Sequence, residues 1–224
     1  MQNENPKTTI GEKINNFIQR YKRIIIVTSI SIAVLFAGLI VFLTLQDMFN
    51  KRAIAELEEL SRRHDELMIN AGGNYFTSDF DTLLADLNAF SKNKRGYAGG
   101  KSLSIIGLIH SVRNEWPQAE TAWLSSARAG NRTYIAPMSL FNAAAAAEEQ
   151  GKLEQAIELL QRSINHPFEF PAAPRAQFSI GRLYEQLNNY PAAVEAYRAV
   201  LIHWQEIPVW QDLARSRIAA IEVR

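Results

Sequence analysis

Ala176-Gln-Phe-Ser-Ile-Gly181-Arg-Leu-Tyr184-Glu-Gln-Leu-Asn-Asn-Tyr190-Pro-Ala-Ala193-Val-Glu-Ala-Tyr197 holds two amphipathic segments around an Asn-Asn-Tyr-Pro turn. Small Gly181, aromatic Tyr184, small Ala193 and aromatic Tyr197 mark a spacing that recurs upstream. Moving back 37 residues reaches Ala144, Ala147, Ala156 and Leu160, with Gln150-Gly-Lys-Leu-Glu as the turn. A second step of 37 reaches Gly107, His110, Ala119 and Trp123 around Asn114-Glu-Trp-Pro. Three units share one register, and each of Ala119, Ala156 and Ala193 is followed four residues later by a large apolar residue.

This spacing resembles the tetratricopeptide repeat, a helical hairpin whose small positions let its two helices touch. The period is 37 residues rather than the usual ~34, and the first helix lacks the family's Trp. The resemblance implies an all-α chain whose full repeats occupy about 100–136, 137–173 and 174–206. Pro137, Pro171 and Pro174 fall at junctions between hairpins, and Pro117 and Pro191 begin second helices, where a missing N–H costs least. Val209, Leu213, Ile218 and Ile221 predict an apolar stripe on a capping helix over about 208–222, with Arg215, Arg217 and Glu222 outside.

Ahead of the repeats, Ile24 to Leu45 is a run of 22 residues without a charge. At ~1.5 Å per residue it crosses a ~30 Å hydrocarbon core. Its Thr and Ser side chains can bond back to their own helix. The run is longer than a signal-peptide core and exits into Gln-Asp-Met-Phe, so an uncleaved anchor is expected. Lys13, Arg20, Lys22 and Arg23 precede it, which places the N-terminus in the cytoplasm and the remainder across the membrane. Thr9-Ile-Gly-Glu12 has capping-box spacing, and Ile10, Ile14, Phe17, Ile18 and Tyr21 share one face of a basic helix. That helix either lies on an anionic leaflet or runs straight into the span.

The domain plan is therefore a basic cytoplasmic tail over 1–23, a transmembrane helix over 24–45, a lead-in helix over 46–72 and the repeat domain over 73–224. In the lead-in, Ala53, Leu57, Leu60, His64 and Leu67 form one seam until Ala71-Gly-Gly-Asn stops the helix. Asp79 to Asn93 adds an amphipathic segment with Phe80, Leu83, Leu84, Leu87 and Phe90 on one side. Through Leu45 the formal charge is +3; the rest, with nineteen basic against twenty-one acidic residues, is −2. A weakly acidic body argues against nucleic acid as a partner. The absence of cysteine excludes disulfides and thiolate chemistry.

Chemistry-bearing motifs are missing. His64, His110, His166 and His203 make no ligand pair at helical spacing, and His110 reads as a packed core residue. Gly96-Tyr-Ala-Gly-Gly100-Lys101-Ser102 ends like a phosphate loop, but Arg95 stands where its first Gly belongs and no strand precedes it. A Gly-rich turn opening the first repeat is expected there. No catalytic residue, metal site, cofactor or small-molecule substrate is indicated.

What remains is a binding surface. By the family resemblance, the first helix of each hairpin lines a concave face. This implies Lys101, Ser104, Leu108 and Ser111; then Met138, Phe141, Asn142, Ala145 and Glu148; then Arg175, Phe178, Ser179, Arg182 and Glu185. Phe141 and Phe178 are equivalent positions, either exposed to meet a peptide or buried between neighbouring hairpins. Phe141, Phe178, Arg175 and Arg182 combine aromatic anchors with guanidinium groups at the heart of the implied groove. Asn142 and Arg175 fit part of the family's carboxylate clamp; Ser104, Leu108 and Ser179 do not.

The order of parts, with Tyr97 and Leu103 approaching the first hairpin, also resembles the YfgM-like family of ancillary Sec translocon subunits. That resemblance implies a non-enzymatic scaffold in the bacterial inner membrane with periplasmic repeats. Its implied partners are the translocon, periplasmic chaperones such as a membrane-anchored prolyl isomerase, and emerging chains. An envelope assembly scaffold for outer-membrane, division or motility machinery would use the same fold. An enzyme or regulator held near the membrane is the remaining class.

Overall fold

A computed structural model describes residues 10–70, 75–92 and 94–223, which form helices joined by turns with no strand among them. The capping residue Thr9, the helix stop at Ala71-Gly-Gly-Asn and the segment end at Asn93 lie outside the described residues. Two compact units are present, one up to Lys51 and one from Arg52. Helix α1 covers Ile10–Asn70, so the basic segment runs straight into the apolar one.

Within the first unit the apolar run is bare on all sides, with Val34 65%, Leu35 72% and Phe36 63% exposed. Thr28, Ser31 and Thr44 donate their hydroxyls to the carbonyls of Ile24, Val27 and Ile40, four residues back. This satisfies these three hydroxyls inside their own helix, as a lipid environment requires. The helix is long and apolar enough to cross a membrane.

The second unit opens with the end of α1, where Ala53, Leu57 and His64 are buried. Leu57 joins Phe90 of α2 (Ser78–Ser91) and Ala98 of α3 (Gly96–Val112) in one cluster. Leu60, Leu67 and Met68 pack on a second cluster of Phe80, Leu83, Leu87, Ile105, Ile106 and Ile109. Three hairpins follow: α3 with α4 (Trp116–Ala129), α5 (Ile135–Glu149) with α6 (Leu153–Ile164), and α7 (Ala173–Gln186) with α8 (Tyr190–His203). Helix α9 (Pro208–Glu222) packs on α8 and α7.

The three hairpin turns repeat bond for bond. Asn114, Gly151 and Asn188 adopt φ of 58°, 73° and 57°, a left-handed conformation that Gly and Asn accept most readily. The next residue then donates its N–H five residues back: Glu115 to His110, Lys152 to Ala147 and Asn189 to Tyr184, at 2.9, 3.0 and 2.8 Å. These bonds satisfy carbonyls that the first helix leaves open at its end. Pro117 and Pro191 follow near the start of the second helices, where no intrahelical donor is lost.

The helices of each hairpin meet at the small positions. Ala119, Ala156 and Ala193 are fully buried. A Cβ added to Gly107 would lie 2.6 Å from the Trp123 ring, and one on Gly181 would lie 2.5 Å from the Tyr197 ring. Only glycine admits such a ring at this distance. In the middle hairpin the corresponding pair is Ala144 and Leu160, both buried in one cluster: the larger small residue stands opposite the smaller apolar one.

Two expectations change. The glycine run expected as a turn lies inside α3. It serves packing there, because a Cβ on Gly100 would stand 3.0 Å from Gly130 Cα, and the Gly100 carbonyl accepts from buried Ser126 Oγ. On α9, Trp210, Ile218 and Ile221 pack beside buried Ala214, while Val209 and Leu213 are 63% and 45% exposed. The side of α9 that packs inward carries Trp210, Ala214, Ile218 and Ile221, and Val209 and Leu213 fall outside it.

Ala193→Leu is expected to lower stability by ~1–3 kcal/mol through overpacking at the helix contact. The same substitution at exposed Ala219 should leave the melting temperature nearly unchanged. Thermal melts of the two variants check the difference.

Candidate partner-binding face

The first helices α3, α5 and α7 carry the implied binding positions, and the structure divides them into two sets. Leu108 and Met138 are exposed at 39% and 47%. Lys101, Ser104, Ser111 and Asn142 are half-buried, and Ala145 is exposed. Helices α3 and α5 pack on each other directly, with the rings of Tyr97 and Tyr134 at 6.1 Å. This aromatic pair was not singled out from the sequence, because Tyr134 precedes its helix and lies outside the repeat pattern.

Phe141 and Phe178 are both half-buried, so neither stands as a free ring. Phe141 lies 5.6 Å from Phe170, and the Arg175 guanidinium sits over the Phe141 ring, 5.4 Å from its centroid. Such a cation over a ring contributes ~0.5–1 kcal/mol at exposed sites. Phe178 lies 5.1 Å from Tyr197 and 5.6 Å from Trp210, joining the core under α9. Ser179 beside it is half-buried.

The charged members of the α5 and α7 set are engaged with one another. Arg182 grips Glu148 with both terminal nitrogens, the Nη2 bond measuring 2.6 Å. One repeat further, Glu185 receives Arg217 Nε at 2.9 Å and the Tyr197 hydroxyl at 2.6 Å. Glu148 and Glu185 are 37 residues apart, so a carboxylate at one repeat position ties α5 to α7 and α7 to α9, while α3 carries Ser111 there. The hydrogen bonds from Arg182 outweigh burial and hold the Glu148 carboxyl below its usual value. Burial, then the bond to Glu185, pushes the Tyr197 hydroxyl well above the usual phenol range. The sequence pattern put Arg217 on the outer surface; its partner emerges only when α9 is placed beside α7.

A further carboxylate, on α4, is buried beside the turn between α5 and α6. Glu120 accepts from Gln150 Nε2, Lys152 Nζ and Gln155 Nε2 at 2.7, 2.9 and 2.6 Å. Burial alone would raise its pKa, yet these partners together lower it. His110, expected in the core, is half-buried at the first hairpin turn with Nδ1 on Glu115 Oε2. Ser102 is buried and donates to the Gly99 carbonyl inside α3, which leaves no phosphate loop there. No cluster of His, Asp or Glu among the described residues could hold a metal ion.

Because its folded pKa is depressed, Glu148 adds stability above the ordinary carboxyl value of 4.5 and loses it as pH falls through the lower folded value. With the pair partly open to solvent, Glu148→Gln should cost about 1 kcal/mol at pH 7. The difference from wild type should shrink below about pH 4, as urea melts across pH 3–7 would show.

A family model described as "Tetratricopeptide repeat" matches residues 106–169 and 165–207. These spans take in most of the first hairpin and the whole of the next two. A "TPR repeat-containing protein" from Treponema pallidum (strain Nichols) is 30% identical over 231 aligned residues, covering 94% of this chain and 94% of the relative. The coverage includes the segment ahead of the repeats as well as the repeats themselves. The bond-for-bond turns, the small-to-ring helix contacts and these similarities agree: the chain belongs to the tetratricopeptide repeat family.

Proposed function

We propose that this chain is a membrane-anchored, non-enzymatic scaffold on the extracytoplasmic side of a bacterial inner membrane, serving the Sec translocon and its periplasmic chaperone network. Tetratricopeptide domains bind protein partners, which supports the scaffold role in general. The observation that carries the binding site is the α3–α5 face. Leu108 and Met138 are exposed there, beside Lys101 and Asn142 whose side chains carry no hydrogen bond among the described residues. Arg175, poised over Phe141, extends this face onto α7. Phe178, Arg182, Glu148 and Glu185 act behind it by fixing the spacing of the helices.

Anchoring is supported by the charge-free Ile24 to Leu45 segment and its self-satisfied hydroxyls. The basic residues before it favour a cytoplasmic N-terminus. The place at the translocon rests on the order of parts: basic tail, span, helical lead-in and repeats.

Protease added outside spheroplasts should remove the repeats and leave the N-terminal tail; protection of the repeats would reverse the topology. Leu108→Glu combined with Met138→Glu should weaken recovery of the main partner about tenfold, or ~1.4 kcal/mol, without lowering helicity. Affinity capture in mild detergent followed by partner identification checks both the face and the machine. Recovery of outer-membrane, division or motility components as the main partners would assign the scaffold to envelope assembly instead.

A further inference from the structure

Away from the first-helix face, the α2–α3 and α4–α5 connections border a cleft of about 650 Å³. Lys94, Arg95, Arg128 and Arg132 line it, together with Leu103 and Ala129, and no carboxylate does. An adjoining cleft of about 420 Å³ shares Arg128 and adds His166 and Arg162, the latter 3.7 Å from Glu158, which does not line it. We propose that this cationic cleft is a second docking site, one that takes an acidic segment of a protein partner.

The arrangement is not what the fold needs for itself. Arg62, Arg63, Arg113, Arg182, Arg198 and Arg217 each hold a carboxylate of this chain. Arg95, Arg128 and Arg132 have none within 4.0 Å among the described residues, and the nearest approach to Lys94 is Glu56 at 3.9 Å. The body beyond Leu45 carries more acidic than basic residues, so gathering unpaired cations around one cleft leaves a local self-repulsion uncompensated. Arg95 adds to it by its position. It precedes α3, whose N-terminus has no side-chain cap, and the exposed N–H groups there already bear partial positive charge. An arriving carboxylate would relieve both.

The chemistry of the lining selects the occupant. Its volume falls in the range of ligand clefts, and Leu103 and Ala129 give it apolar contact beside the cations. Gly96, on the rim, has φ of 67° and open space where a side chain would stand, so a second backbone can come close. No exposed apolar side chain lines the cleft to enter an acyl layer, and no aromatic ring is available to stack a base. Carboxylates interleaved with apolar side chains match what is present. Guanidinium groups are suited to them by their planar donor fork.

The test uses the full chain in detergent micelles and a fluorescein-labelled octapeptide, Asp-Asp-Leu-Asp-Asp-Leu-Asp-Asp, read by anisotropy. Wild type should bind it and should not bind the same peptide with Asn for every Asp. Arg128→Ala/Arg132→Ala should weaken binding tenfold or more, Arg128→Lys/Arg132→Lys should retain part of it, and Arg198→Ala/Arg215→Ala should leave it unchanged. Both cleft arginines are exposed, and equal melting temperatures confirm that the variants fold. Binding that survives the double alanine change, or that falls equally with Arg198→Ala/Arg215→Ala, overturns the proposal. So does a wild type that ignores the peptide. Because Leu108 and Met138 lie outside this cleft, failure here leaves the first-helix face standing.

Discussion

The close approach of two helices at a small residue governs this structure. Gly107 lies against the Trp123 ring and Gly181 against the Tyr197 ring so tightly that one added methyl group would overlap the ring. Interiors are packed too densely to absorb such an overlap without moving a helix. Where the ring is replaced by Leu160, the glycine is replaced by Ala144. The hairpins therefore keep one geometry while their contacts change composition. Each ring also finds a partner for its polar atom: Trp123 Nε1 donates to the Ser104 carbonyl at 3.2 Å, and Tyr197 donates to Glu185. Burial of an aromatic ring with its polar end satisfied gives a large apolar contribution at no hydrogen-bond cost.

Once the helices of a hairpin are locked, what distinguishes the repeats is carried on the first helices. The N-terminal pair, α3 and α5, leaves apolar side chains and uncommitted polar groups open. Toward the C-terminal end, α7 spends Arg182 on Glu148, Glu185 on Arg217 and Phe178 on the core under α9. The stack is thus internally stitched at one end and available at the other. Exposed single ion pairs contribute little on their own. Here the pairs matter more through the helix spacing they set than through the energy of each.

Much of this was legible in the residues. The 37-residue register located the small positions, the three turns and the fully buried alanines, because a close helix contact and a left-handed turn residue each admit few side chains. The seam from Ala53 to Leu67 and the buried side of α2 followed from apolar spacing alone. The fate of Arg182 and Phe178 was not legible. A repeat register gives the direction of a side chain on its own helix, but not whether a neighbouring helix supplies a carboxylate or a ring. Val209 and Leu213 differ for a related reason: α9 is apolar on more than one side, and its packing on α7 and α8 covers the side of Trp210, Ala214, Ile218 and Ile221. The glycines of α3 misled because glycine is read first as a turn residue. Gly100 lets the α4–α5 connection come close, and Gly99 makes room for the Lys94 carbonyl.

The double-mutant cycle of Gly181→Ala and Tyr197→Leu, followed by urea unfolding, tests the governing contact most directly. It recreates in the last hairpin the Ala and Leu pair of the middle one. Any gain of about 1 kcal/mol in helix propensity from replacing glycine appears in both arms and cancels. The expected result is a coupling of ~0.5–3 kcal/mol, with the double variant more stable than the two single changes sum to. Additivity within ~0.3–0.5 kcal/mol would mean that the small residue and the ring do not constrain each other. The hairpin geometry would then have to be held by something else.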